Sequence, residues 1–111
     1  MWLKRIREPN VSFSALAEMA RSGFPGQKGA ALTRLAELHG ERAETVTLLE
    51  SLASGPSKSE PLMSGVYVGD VCLLLLRSMQ TDAAYQAFLR VYQSWDTTDA
   101  ERLEEVLRRG L

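Results

Sequence analysis

A chain of 111 residues, 45% hydrophobic and 24% charged with a formal net charge of -1, is long enough for one compact domain. The hydrophobic share excludes a disordered chain, and one Cys with 8 Gly and 4 Pro excludes a disulfide scaffold or collagen. A balance of 13 basic and 14 acidic residues argues against a dedicated binder of nucleic acid or acidic membranes. The class follows from the apolar residues themselves: 29 of 111 are Leu or Ala, against 7 Val and 1 Ile, so a helical core is well supplied and a sheet is not.

Basic residues at Lys4, Arg5 and Arg7 precede no long apolar run, so residues 1–11 read as a short basic lead rather than a secretory signal, ahead of one helical domain over 12–111. Phe13, Leu16, Ala17 and Ala20 then follow the helical i, i+3, i+4, i+7 rule, with Ser12 or Ser14 as the cap. Gly23 to Gly26 ends that helix. A second is expected from about Gln27 to His39, burying Leu32 and Leu35, with Gly40 as a left-handed stop. The third is expected from about Glu41 to Ser54, with Glu41 and Glu44 favouring the helix dipole and Val46, Leu49 and Leu52 on one face.

The stretch 55–66 is rich in turn formers and reads as a loop. Beyond it, Val66 to Leu76 is apolar on nearly every side and should form the most buried element, helical from near Val68. Gly69 and Asp70 interrupt it, and it is far shorter than the roughly 18 residues of a membrane span. A fifth helix is expected from Thr81-Asp82 to Trp95, and a sixth from Ala100 to Arg109 after Thr97-Thr98-Asp99. Short connections between such helices force antiparallel neighbours, so the expected fold is all-α, about six short helices in two or three stacked hairpins.

The segment Val68-Gly69-Asp70-Val71-Cys72-Leu73-Leu74-Leu75-Leu76 resembles the inner helix of HEAT-like repeats, where a short turn, an Asp and a mixed Val/Ala/Leu face recur. With a neighbouring helix the resemblance covers about a quarter of the chain, and a single such unit stands where that family stacks several. It implies a surface that binds other proteins. Asp70, the only charge between Pro61 and Leu76, must be satisfied if buried. It reads either as a first-turn acceptor of backbone N–H groups or as an anchor for a partner's Arg. Tyr85, Phe88 and Tyr92 share a helix face that Trp95 extends. Trp2, Tyr67, Asp70, Tyr92 and Trp95 are therefore the candidate partner-binding residues, the partner being another protein or a second copy in a homodimer.

A competing class uses nucleic acid. Gly23-Phe24-Pro25-Gly26 and Gly26-Gln27-Lys28-Gly29 both satisfy G-x-x-G and resemble the phosphate-contacting loop of the KH fold, with Arg21, Gly26, Lys28 and Gly29 as the residues concerned. The three strands of that fold are lacking, and a Walker A loop is excluded because Gly29 follows Lys28. Catalysis is not expected. His39 reads as a solvent-facing residue at a helix end and Cys72 as core, and together they are too few to ligate zinc. Glu101, Glu104 and Glu105 read with Arg102, Arg108 and Arg109 as a solvated, salt-bridged face. The expectation is a non-enzymatic, cytoplasmic interaction module with no cofactor and no metal, in which the lone Cys stays reduced.

Overall fold

The computed structural model describes residues 2–63 and 65–109, with Trp2 described in its backbone alone. The fold is all-α. Its helices are α1 (Trp2–Ile6), α2 (Phe13–Ser22), α3 (Pro25–His39), α4 (Ala43–Ser54), α5 (Val68–Ser78), α6 (Asp82–Ser94) and α7 (Thr97–Arg108). Between α4 and α5 a 3-10 turn over Pro56–Ser59 leads into a two-stranded antiparallel hairpin of β1 (Pro61–Met63) and β2 (Val66–Tyr67).

Local chemistry sets the helix starts. Ser12 Oγ accepts from the Ala15 N–H at 3.1 Å, Thr81 Oγ1 from Ala84 at 3.1 Å and Asp96 Oδ1 from Asp99 at 2.8 Å, each satisfying one otherwise orphaned donor. Helix α3 opens two residues earlier than expected because Pro25, which lacks an N–H and has a fixed φ, suits the first helical position. Helix α7 likewise opens at Thr97 rather than Ala100, since Asp96 provides the cap. Helix α4 opens at Ala43, leaving Glu41 in the preceding turn. Gly40 is right-handed with φ -61°, so the expected left-handed stop is absent there. Left-handed backbone occurs instead at Gly65 (φ 75°), in the hairpin turn, and at Gln80 (φ 58°), between α5 and α6.

Helix α2 packs on α3, α4 on both α5 and α6, and α5 on α6, with α3 also alongside α5. Leu16, Leu32, Leu35, Leu49, Leu73 and Leu76 are wholly buried in the core between these helices. Each such side chain contributes about 1.5–3 kcal/mol relative to exposure, so the Leu-rich composition translates directly into the driving force for assembly. At the surface Arg90 grips Glu50 with two bonds of 2.9 and 3.0 Å, tying α6 to α4.

Two sequence expectations change. The residues read as a basic lead belong to the packed body, because Ile6 and Val11 are buried in the core. Arg34 fixes that lead by donating from Nε to the Ile6 carbonyl at 3.0 Å and from Nη2 to the Glu8 carbonyl at 3.2 Å. Those carbonyls lie at the end of α1, where a cation is favoured. The stretch 55–66 is likewise more ordered than a plain loop. It holds the 3-10 turn and β1, and Val68 N–H donates back to the Glu60 carbonyl at 2.9 Å.

Candidate functional site

Asp70 is the fourth charge-bearing corner of a network that joins α5, α7 and the 3-10 turn. It sits in the first turn of α5, and its Oδ2 accepts from the Tyr67 N–H at 3.0 Å. Arg102, from α7, donates Nε–H to both carboxylate oxygens at 3.2 and 3.0 Å and Nη1–H to Asp99 Oδ1 at 2.8 Å. Lys58 closes the chain on Asp99 Oδ2 at 2.9 Å. The guanidinium carbon lies 4.5 Å from the centre of the Tyr67 ring and 5.7 Å from that of Trp95, so the cation also meets two aromatic faces.

The segments approach closely at Gly69, where an added Cβ would stand 2.9 Å from Lys58 Cβ and 3.0 Å from Trp95 Cζ2. Trp95 lies over this contact, with its indole N–H donating to the Ala53 carbonyl at 2.9 Å. Burial pushes the Asp99 carboxyl up, but the hydrogen bonds from Lys58 and Arg102 outweigh it and hold it below the ordinary carboxylate value.

This arrangement corrects several site expectations. Asp70 is wholly buried, with 0% of its surface exposed, and its oxygens are taken by Tyr67 and Arg102, which leaves no face for a partner's Arg. Trp95 is buried and its N–H is used internally, so it is core rather than interface. Tyr67 is half-buried over Arg102. Tyr92 is half-buried in a stack with Phe88, 5.6 Å between ring centres, and its hydroxyl donates to Glu104 at 3.2 Å. Partial burial and that carboxylate push its hydroxyl pKa up. Tyr85 is the ring of this helix that stands well exposed, at 51%. The Trp2 side chain lies outside the described residues.

Helix α7 divides differently from the expected solvated face. Arg102 turns inward, Arg109 donates to the Gly65 carbonyl at 3.3 Å, and Arg108 pairs with a neighbouring Glu, Glu105, at 2.8 Å.

The glycine-rich phosphate loop does not form. Gly26, Lys28 and Gly29 lie within α3 rather than in a flexible loop, and the Lys28 N–H is already taken by the Phe24 carbonyl at 2.9 Å. Lys28 is buried against Glu60, which neutralises it, and Arg21 stands apart on exposed α2 surface. His39 is half-buried, donating from Nε2 to the Val11 carbonyl at 3.0 Å and meeting the Phe13 ring edge-on, rather than facing solvent. Cys72 is fully buried, and burial pushes its thiol far above the usual value, which suppresses the nucleophilic thiolate. Among the described residues no three His, Cys, Asp or Glu side chains converge as metal ligands, and no helix is long and apolar enough to cross a membrane.

What the sequence reading missed is a groove of about 550 Å³ between α1, α3 and β1. Its walls include Leu3 and Ile6 of α1 and Leu62 and Met63 of β1, and its floor is the α3 face bearing Gly26, Gly29 and Ala30, closed by Val71 of α5. Met63 is 59% exposed and Phe24, just before α3, is 51% exposed. The floor is open because a Cβ added at Gly29 would meet nothing within 4 Å. Glycine in a helix interior costs about 0.5–1 kcal/mol relative to Ala, so packing within the chain gives no return for Gly29. Arg34 positions the α1 wall through its bonds to the α1 carbonyls and is itself paired with Glu37 at 3.0 Å. The available signals in the sequence were the two glycines inside a helical pattern and the Leu62-Met63 pair within a turn-rich stretch. No family model matches the chain, and no curated protein or solved structure matches it.

Proposed function

We propose that the chain is a non-enzymatic protein-interaction module, an adaptor, scaffold or accessory subunit, that holds another protein in the groove between α1, α3 and β1. The observation that carries this reading is the groove itself. It is concave and mostly apolar, with Arg7, Thr33, Arg34 and Glu37 as its polar lining, and its floor includes a helical glycine whose absent side chain no other part of the chain fills. The HEAT-like likeness agrees with it, since paired helices in that family present partner-binding surfaces and Val71, within the segment that carries the likeness, closes the floor. The proposed setting is the cytoplasm.

The test is site-specific crosslinking in cells that express the protein natively. A photoreactive benzophenone amino acid replaces Met63, and a control chain carries it at the exposed Glu101. A discrete adduct is expected at position 63 and not at 101, and the adduct should be lost with Gly29→Leu, which fills the floor without meeting a neighbour at Cβ. Retained helical circular dichroism and a melting transition no lower than that of the unaltered chain show that this variant is folded. No adduct above the control, or an adduct that survives Gly29→Leu, overturns the reading.

A further inference from the structure

We infer that the partner enters the groove as an acidic, amphipathic α-helix, an identification that rests on the docking role proposed above. Charge sets the first half of this assignment. Arg7 lines the groove and Lys4 lies beside it on the adjoining surface with Leu3 and Glu8, and no acidic side chain pairs with either cation among the described residues. Arg34 and Glu37 neutralise each other, so Glu8 is the remaining carboxylate there against the two cations Lys4 and Arg7. A partner that covers the apolar floor must bring these cations close to its own flanks, where carboxylates are favoured and further cations are repelled.

Shape sets the second half. Thr33 and Glu37 line both this groove and a second, more polar hollow of about 880 Å³ reaching Gly40, so the depression follows α3 along its length. Helix α3 runs over 15 residues, about 22 Å at 1.5 Å per residue, which matches a partner helix of similar length. The small side chains Gly26, Gly29 and Ala30 on the floor admit the bulky apolar stripe of such a helix, the mode in which residues at i, i+3, i+4 and i+7 serve as anchors. An extended strand finds little to pair with, because α3 uses its own backbone groups and the open edge of β1 is only three residues long and begins with Pro61, which has no N–H. A bilayer surface meets the cations but leaves a concave apolar floor uncovered.

Three fluorescein-labelled 15-residue peptides test the assignment by fluorescence anisotropy with the whole chain. All share Leu at helical spacing on one face; the first carries Glu on the other, the second Lys, and the third is the Glu peptide with a central Pro. The Glu peptide is expected to bind at least tenfold more tightly than the Lys peptide in 50 mM salt, with that preference shrinking in 300 mM salt as screening grows. The Pro-broken peptide should lose at least tenfold, and Lys4→Glu/Arg7→Glu should abolish or reverse the charge preference. Gly29→Leu should weaken the Glu peptide at least tenfold.

Equal binding of the Glu and Lys peptides, equal binding of the Pro-broken peptide, or a charge preference that survives the double variant overturns the inference. So does binding to phosphatidylserine vesicles that Lys4→Glu/Arg7→Glu removes while no peptide is preferred, or self-association in light scattering that the Glu peptide does not compete away. If no peptide binds while the adduct at position 63 persists, the acidic helix is wrong and the docking role stands. If the adduct is absent as well, both fall.

Discussion

Replacing Asp70 by Asn keeps the size of the side chain and its ability to accept from the Tyr67 N–H, but removes the charge facing Arg102 and turns an N–H group toward another donor. Breaking a buried ion pair by removing one member costs about 3–5 kcal/mol. The Arg102 side chain remains 19% exposed and keeps its bond to Asp99, so part of that cost is relieved by water and by the second carboxylate, leaving about 2–3 kcal/mol. With an unfolding entropy of about 2.1 cal/mol/K per residue, such a loss lowers the melting temperature of a chain this size by roughly 9–13 °C. Urea unfolding followed at 222 nm and pH 7 measures it directly. The double variant Asp70→Asn/Arg102→Met supplies the coupling: Arg102→Met alone strands the carboxylate, so the two losses should fail to add by about 1.5 kcal/mol or more. A loss under about 1 kcal/mol for Asp70→Asn, or additive losses, would refute the assignment of Asp70 as the buried keystone of α5 and α7.

Acid should loosen the same region from its outer side. Asp99 is depressed in the folded state, so its contribution is complete above the ordinary carboxylate value of about 4 and is lost as pH falls through the lower folded-state value. Lys58→Ala should therefore flatten the fall of melting temperature between pH 7 and 3, and a fall as steep as that of the unaltered chain would contradict the role of Lys58. Cys72 should resist a thiol reagent in the native protein and react fully in urea; rapid native labelling would show that the α5 interior opens readily. Gly29→Ala should raise stability by about 0.5–1 kcal/mol, because it removes backbone freedom from the unfolded chain and its methyl meets no neighbour. A lower melting temperature for that variant would mean that the space above Gly29 is already filled.

The parts of the fold that were legible in the sequence are those decided by local chemistry. Periodic Leu and Ala placed α2, α3, α4 and α6 to within a few residues, and the β-branched start of the apolar run at Val66 correctly switches to helix at Val68. What failed did so for reasons of contact. No local signal says that Ile6 folds back onto the body, because its burial depends on Arg34, 28 residues away, capturing the Ile6 carbonyl. Nor could Arg102 be told from Arg108 on α7. The two are six residues apart in an acidic stretch, and only the placement of α5 turns one toward a buried carboxylate and leaves the other 74% exposed. The aromatic candidates failed in the same way, since spacing puts Tyr92 and Trp95 on one helix while Ala53, 42 residues away, decides that the indole points inward.

Helix α3 shows why the groove is a better guide to function than any single side chain singled out from the sequence. Local preference, core packing and capping agree along α2 and α6, as they must when a sequence specifies one structure. Along α3 they disagree. The helix buries Ala31, Leu32 and Leu35 on one side, while Gly29 weakens it on the other with no neighbour inside the chain within 4 Å of where its Cβ would stand. Gly69 and Gly65 provide the comparison: a Cβ at Gly69 would strike Lys58 and Trp95, and Gly65 adopts a positive φ, so each glycine answers an internal demand. Gly29 answers none. A residue that weakens its own helix and fills no internal need is accounted for when the space it leaves is occupied from outside, and Arg7, just beyond α1, lines that space.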